Sequence, residues 1–225
     1  GTGTTLIGKL AQARTNRAIN DCAELTHRIG LPLAKFMVKL QSHGCTLGCH
    51  DPAEFWFRDS GEIVLLDVAL QSASTSELES IELMPAFSPP EAYGRCGGVL
   101  NNRADVFFIG AVLYHCLIRV PVPSSLGMVD ERLPPPGLFH PRVDPDLGAV
   151  VRKATSLIPA NRHIDAANLV SALEQSLATE RSRNAPTTRT LKLEIATETH
   201  IGLLKQRYCA ENQDSYFTSW DPVAS

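Results

Sequence analysis

Residues 49 to 67 include four side chains of types that chemistry uses and that are singled out by their spacing: Cys49, Asp51, Glu54 and Asp67. Carboxylates accept protons from attacking hydroxyl groups and bind divalent cations through their oxygens. A thiolate is a nucleophile and a metal ligand. The residue types alone therefore indicate group transfer assisted by a metal, or covalent chemistry, and the elements around them must position these groups.

A β-hairpin is predicted between Glu54 and Asp67. The aromatic run 55–57 has strand character, the polar run 58–61 with its glycine is typical of a turn, and residues 62–66 form the returning strand. Upstream, apolar residues recur at helical spacing over residues 18–42, which predicts a helix that faces the core. Gly44 follows its last turn as a stop signal.

This arrangement resembles the catalytic core of a protein kinase. In that family the loop H-R-D-x-K-P-x-N is followed by a short hairpin and the metal-binding triplet D-F-G. Counting back from Asp67 puts Leu47-Gly48-Cys49 at H-R-D, Asp51 at the lysine and Glu54 at the asparagine. Counting forward from the glycine at the helix end places Cys49 at the same catalytic aspartate.

The substitutions at these positions predict that ordinary kinase chemistry is lost. The resemblance implies a carboxylate that orients the hydroxyl, a cation near the γ-phosphate and an amide on a second magnesium. Cys49 is a poor replacement for the carboxylate, and Asp51 and Glu54 bring negative charge instead. At about 4 Å and an effective dielectric constant near 20, one unit charge contributes about 4 kcal/mol, so reversing its sign costs several orders of magnitude in rate.

The same resemblance extends downstream in residues that support the fold. The segments 84–91, 102–110 and 157–162 resemble the family's T-P-x-Y-x-A-P-E, S-D-x-x-x-x-G and D-P-x-x-R motifs. The resemblance implies a buried ion pair between Glu91 and Arg162. It also implies that Asp105, on a central helix, holds the backbone of the catalytic loop. The apolar run 106–122 is interpreted as part of that buried helix.

The expected fold class is mainly α, a kinase-like large helical lobe with a short β-hairpin at the catalytic loop. It covers residues 1–178, and nothing in the chain resembles the small lobe. Residues 3–10 mimic a phosphate loop, but Leu10 replaces the required Ser or Thr. We therefore interpret them as a linker and the beginning of the first helix.

The C-terminal part differs in composition. Residues 179–190 are polar and aperiodic and predict a linker, and residues 191–225 predict a β tail with hairpin character. The tail resembles the opening of metal-dependent PPM-type Ser/Thr phosphatases, in which the residue corresponding to Asp214 binds manganese or magnesium. The resemblance implies that the chain is a piece of a longer kinase-like and phosphatase fusion. The alternative is that the tail is an ordinary edge hairpin packed on the lobe.

Two other kinds of site stay open. His43, Cys45, Cys49 and His50 have zinc-ligand types, although a second C-x2-C pair is missing, and His43 is also placed to cap a helix end. Alternatively, Asp51, Glu54 and Asp67 form a carboxylate cluster that binds a divalent metal and supports altered transfer chemistry. Asp67 by itself is a candidate cation or nucleotide ligand.

The favoured hypothesis is a catalytically inactive, kinase-like regulatory or interaction module in a signalling protein. We expect it to require no cofactor, with magnesium or manganese as possible ligands. Its expected partner is another protein or an adjacent phosphatase domain. A net charge of −3 and a pI near 6.2 provide no basic surface for nucleic acid, and we expect no membrane partner. The kinase resemblance implies a cytoplasmic location with reduced thiols.

Overall fold

The computed structural model describes residues 2–15, 21–48, 51–66, 71–72, 86–94, 99–118 and 133–184. The chain divides into two compact units, Gly1–Ala185 and Pro186–Ser225. All described residues belong to the first unit, so the predicted β tail and Asp214 lie outside them. The first unit is mostly helical with a small antiparallel sheet, which confirms the mainly α expectation at that level.

Its elements are β1 (Gly3–Thr5), α1 (Leu6–Thr15), α2 (Cys22–Leu25), a π-helical turn (Thr26–Gly30), α3 (Leu31–Ser42), β2 (Cys45–Thr46), β3 (Phe55–Arg58), β4 (Ile63–Leu65), β5 (Gln71–Ser72), α4 (Asn102–Ile118), α5 (Pro136–Phe139), α6 (Pro145–Ala154) and α7 (Ala166–Asn184).

The predicted hairpin is confirmed as β3 and β4. The two strands are antiparallel, with Phe57 opposite Ile63, and the turn between them contains Gly61 at φ +84°. β1 adds a third strand on the other side of β3, with Thr4 opposite Phe57. The interpretation of residues 3–10 as a linker was therefore wrong for β1, although α1 does begin at Leu6. Three residues are too few to show an alternating pattern, so only pairing with β3 reveals the strand.

The predicted helix 18–42 is continuous from Cys22 to Ser42 through the π-helical turn; residues 16–20 lie outside the described part. Its end matches the expected stop. His43 is the C-cap, and Gly44 follows at φ +72° with its N–H donating to the carbonyl of Gln41 at 3.0 Å. A left-handed residue in this position satisfies carbonyl groups that the helix leaves unpaired.

α4 lies at the centre of the unit, as the apolar run predicted. Nearly every residue from Ala104 to Ile118 is buried, so this helix has no solvent-facing stripe. Phe108 of α4 stacks on Phe55 of β3 at a centroid distance of 5.2 Å. The centroid of the Phe87 ring lies 6.3 Å from that of Phe108. The sheet and the helices therefore share one hydrophobic core.

α7 differs from the expectation that the kinase-like lobe ends at residue 178 and that a linker begins at residue 179. It continues to Asn184. Arg183 in its last turn forms ion pairs with Asp144 at 2.7 Å and Asp146 at 2.5 Å, at the beginning of α6. Because these carboxylates come from a distant part of the sequence, the polar composition of residues 179–184 gave no sign of the extra turns.

Candidate functional site

The loop that follows β2 is fixed to α4 by one buried carboxylate. Asp105 accepts hydrogen bonds from the backbone N–H groups of Leu47, at 3.0 Å, and Gly48, at 2.8 Å, both through Oδ1. Its exposed fraction is 1%. Two amides that would otherwise be buried without an acceptor are thereby satisfied. The contact expected between Asp105 and the loop backbone is present.

Gln41 joins this carboxylate to two further helices. Its Nε2 donates to Oδ2 of Asp105 at 2.8 Å and to the carbonyl of Asn102 at 3.3 Å. Its Oε1 accepts the first N–H of α7, from Ala166, at 3.0 Å. One side chain therefore links the end of α3 with the beginnings of α4 and α7.

Sequence reasoning missed Gln41, although a signal was present. Leu33, Met37 and Gln41 follow one another at intervals of four residues, and the first two are fully buried. Side chains at this spacing share one face of a helix. A polar residue that continues a buried apolar stripe needs partners inside the protein, which is what the structure provides.

In the register predicted from the sequence, Gly48 corresponds to the arginine of the kinase pattern H-R-D. Its φ is +71°, in the left-handed region that favours glycine. A Cβ added there would lie 3.0 Å from Cδ1 and 3.1 Å from Cβ of Leu100. The left-handed backbone and the close leucine both disfavour a larger side chain, so an arginine here would strain the loop and require Leu100 to shift.

Asp51 is the N-cap of a short 3₁₀ turn, Pro52–Glu54, and Glu54 is its last residue. Oδ1 of Asp51 caps this turn by accepting the N–H of Ala53 at 2.7 Å, and the N–H of Glu54 donates to the carbonyl of Asp51 at 3.0 Å. The carbonyl of Glu54 accepts the N–H of Leu66 at 2.8 Å and closes the base of the hairpin. Cys49 and Asp67 lie outside the described residues, so the proposed carboxylate cluster stays a prediction.

A buried ion pair joins Glu91 to Arg162. Nη1 of Arg162 donates to Oε1 of Glu91 at 2.5 Å, and Nη2 donates to Oε2 at 2.9 Å, a two-pronged geometry. The side chains are 1% and 0% exposed, respectively. The contact that the resemblance implies for these two residues is present.

The remaining N–H groups of Arg162 also find acceptors. Nε donates to the carbonyl of Ser156 at 2.7 Å, and the terminal nitrogens donate to the carbonyls of Arg103 at 2.9 Å and Leu157 at 3.3 Å. The guanidinium carbon lies 4.8 Å from the centroid of the Phe107 ring. A guanidinium has five N–H donors, so its whole hydrogen-bonding capacity is used inside the protein.

His163 follows in sequence and is also buried, with 4% of its surface exposed. The pKa of its imidazole is lowered first by burial and then by the positive charge of Lys153. Both effects disfavour the charged ring. The residue follows Arg162 directly in the chain and is part of the buried interior.

The metal hypotheses find no ligand set in the described part of the chain. Within it, no three His, Cys, Asp or Glu side chains are grouped so as to hold an ion. His43 lies at the end of α3, where its Nδ1 is 2.7 Å from the carbonyl oxygen of Lys39, and Cys45 contacts the carbonyl of His43 at 3.8 Å. Cys49, His50, Asp67 and Asp214 lie outside the described residues, and the zinc, magnesium and manganese hypotheses remain predictions.

Comparison with known proteins supports a kinase-like relationship. The serine/threonine-protein kinase PknB of Mycolicibacterium smegmatis (strain ATCC 700084 / mc(2)155) is 29% identical over 132 residues. The match covers 52% of this chain and 21% of that protein, so the chain spans about a fifth of the length of this relative. No family model matches the chain. In the described helices no stretch has the length and apolarity to cross a membrane.

Proposed function

We propose that this chain is the large lobe of a kinase-like domain that has lost phosphoryl transfer and acts as a regulatory or interaction module. The observation that carries the proposal is the negative charge of Asp51 together with the hydrogen bond that its side chain makes within the loop. A carboxylate stands where the kinase pattern requires a cation, and its oxygen caps a turn of its own loop. A negative charge at this position repels the γ-phosphate that a lysine would attract.

The contrast with the supporting residues favours the same proposal. Glu91, Arg162 and Asp105 retain the types of the kinase pattern and make buried hydrogen bonds. Cys49, Asp51 and Glu54 carry other types than the catalytic positions to which they are assigned, and a Cβ at Gly48 would already lie 3.0 Å from Leu100. A surface that presents partners to one another remains useful after catalysis is lost, because fold and function separate readily.

A phosphoryl-transfer assay tests this proposal. The purified chain is incubated with magnesium, manganese and ATP labelled on the γ-phosphate, and label on the protein and on a generic substrate protein is counted. We expect no transfer above the buffer rate. The Asp67→Ala variant is the informative comparison, and Asp59→Ala, in the exposed hairpin turn, is the matched control. Transfer that Asp67→Ala abolishes and Asp59→Ala preserves would overturn the proposal.

The proposed partner is another protein, and a metal-dependent Ser/Thr phosphatase domain on a longer chain is the first candidate. The support is the sequence pattern of residues 191–225, with Asp214 as the metal ligand of such a domain. We further propose that the module works in the cytoplasm. Sequencing the natural reading frame tests the link directly: a continuation with the remaining phosphatase motifs is expected, and an unrelated continuation would contradict it.

A further inference from the structure

A groove of about 550 Å³ lies between α3 and the turn of the β3–β4 hairpin. Its apolar floor is formed by Leu31, Phe36 and Ile63, with Pro32 beside them. Leu31 and Ile63 are 5% and 8% exposed, so their surfaces belong mostly to the core and only their edges face the groove. This volume is within the range of ordinary ligand pockets, and the open shape suits a chain segment better than an enclosed small molecule.

The positive charge on one wall of the groove comes from two lysines. His27, Lys35 and Lys39 line it together with Leu31, and the four residues are spaced four apart along the π-helical turn and α3. Residues at this spacing lie on one side of a helix. Lys39 is exposed, and in the described part of the chain its ammonium group has no ion-pair partner. Arg181 adds a further cation near one end, with Nη2 2.7 Å from Nε2 of His27.

The acidic groups around the groove are already neutralised by basic neighbours. Glu62 lines the opposite wall but pairs with Arg58 at 2.6 Å. Glu174 of α7 pairs with Lys35 at 2.8 Å. Of the two lysines that line the groove, Lys39 is therefore the one without a carboxylate partner among the described residues, and it lies next to the apolar floor.

We infer that this groove binds an acidic, extended segment of a partner protein, with an apolar side chain on the Leu31–Phe36–Ile63 floor and a carboxylate at Lys39. The inference rests on the proposed function and deepens it by naming the surface and the chemical class of the partner. Charge complementarity selects an acidic segment over a basic one, because like charges across an interface cost affinity. Apolar contact supplies affinity that salt does not screen.

Fluorescence anisotropy with defined peptides tests the inference on the full chain. The probe is a fluorescein-labelled peptide in which glutamates alternate with leucines. One comparison peptide has lysines in place of the glutamates, and another has serines in place of the leucines. We expect saturable binding of the acidic probe that weakens as salt is raised, and at least about tenfold weaker binding of either comparison peptide.

The Lys39→Glu variant locates the site. Reversing this exposed charge should weaken binding of the acidic probe by about tenfold, since two unit charges change next to a carboxylate. Lys153→Glu is the matched control, because Lys153 is an exposed lysine on α6 away from the groove, and it should bind as the parent does. Because Lys39 is exposed, the variant keeps the core intact, which its unfolding curve checks.

The outcomes separate this inference from the proposed function. No binding of the acidic probe, equal binding of the lysine-containing peptide, or equal loss in both charge variants would overturn the groove assignment, whatever the phosphoryl-transfer assay shows. Phosphoryl transfer that depends on Asp67 would overturn the proposed function, while peptide binding that is lost in Lys39→Glu would still locate the groove.

Discussion

At the scale of single residues, Arg162 shows how a charge is kept inside this protein. Its guanidinium is removed from water, and every N–H group has an acceptor, two of them the oxygens of Glu91. Moving two charges from water into the interior is costly, and the full set of hydrogen bonds offsets that cost. The pair is therefore weak as a source of net stability but severe in its effect when only one partner is removed.

Arg162→Met should lower the free energy of unfolding by about 3–5 kcal/mol, because it leaves Glu91 buried without a counter-charge. Urea denaturation followed by circular dichroism measures the change. Arg58→Met is the control, since Arg58 pairs with Glu62 at the surface, where ion pairs contribute about 0–1 kcal/mol. Similar losses in the two variants would contradict the role assigned to the buried pair.

Comparing two glycines with the same backbone conformation distinguishes the cost of backbone strain from the cost of side-chain crowding. Gly44 and Gly48 have φ values of +72° and +71°, but an added Cβ meets Leu100 only at Gly48. Gly44→Ala should destabilise by about 1 kcal/mol through the left-handed conformation alone. Gly48→Ala should cost about 2–3 kcal/mol, because contact with Leu100 is added.

Chemical denaturation of both glycine variants, repeated in a Leu100→Ala background, checks this expectation. Shortening Leu100 removes the crowding, so the difference between the two glycine substitutions should shrink. If Gly48→Ala is as mild as Gly44→Ala in the parent, the loop has more space than the structure gives it.

At the scale of elements, the packing of α4 against α6 depends on a small residue. A Cβ at Gly110 would lie 2.7 Å from Cβ of Ala154 and 2.9 Å from Cγ2 of Thr155. Glycine in the middle of a helix costs about 1 kcal/mol relative to alanine. Here it lets the end of α6 approach the central helix closely, so the cost is offset by packing.

Gly110→Ala should destabilise the protein by about 1–3 kcal/mol, although it raises helix propensity, because α6 must move away from α4. Gly137→Ala provides the matched control. That glycine also lies in a helix, α5, but an added Cβ has nothing within 4 Å, so the change should be neutral or slightly stabilising. Thermal unfolding of the two variants measures the contrast, and a stabilised Gly110→Ala would disprove the close approach.

The elements also show which predictions the sequence could support. The β3–β4 hairpin and the end of α3 follow from local signals, namely the strand–turn–strand pattern around Gly61 and the glycine after the last helical turn. β1 and the last turns of α7 carry no comparable signal. β1 exists through pairing with β3, and the end of α7 is held by ion pairs from Arg183 to Asp144 and Asp146.

At the scale of the whole molecule, stability should depend on pH through His163. Burial and Lys153 lower the pKa of this imidazole in the folded state, so the unfolded chain binds the proton more readily. The neutral ring of His163 makes its full contribution to the free energy of unfolding above the ordinary pKa of about 6.5. That contribution is lost as the pH falls from there through the lower folded value, by at most about 1.4 kcal/mol per pH unit.

Unfolding free energies of the parent and His163→Gln, measured from neutral to acidic pH, check this dependence. Below pH 6.5, the free energy of unfolding should fall less steeply in the variant than in the parent. Lys153→Gln should raise the folded pKa toward its usual range, which an NMR titration of the His163 ring reports directly. An unchanged pH profile in His163→Gln would show that other groups govern acid stability.

The sequence alone determined two local elements, the hairpin and the central apolar helix. The assignment of Cys49, Asp51 and Glu54 to catalytic positions of the kinase pattern stays a prediction. The two elements follow from periodicity and turn chemistry, which act over a few residues. Only the tertiary structure decided that Gln41 joins three helices, that Leu100 lies close to Gly48, and that Lys39 lies beside an apolar groove without an ion-pair partner among the described residues. Those features depend on contacts between residues far apart in the chain, and chain folding alone brings them together.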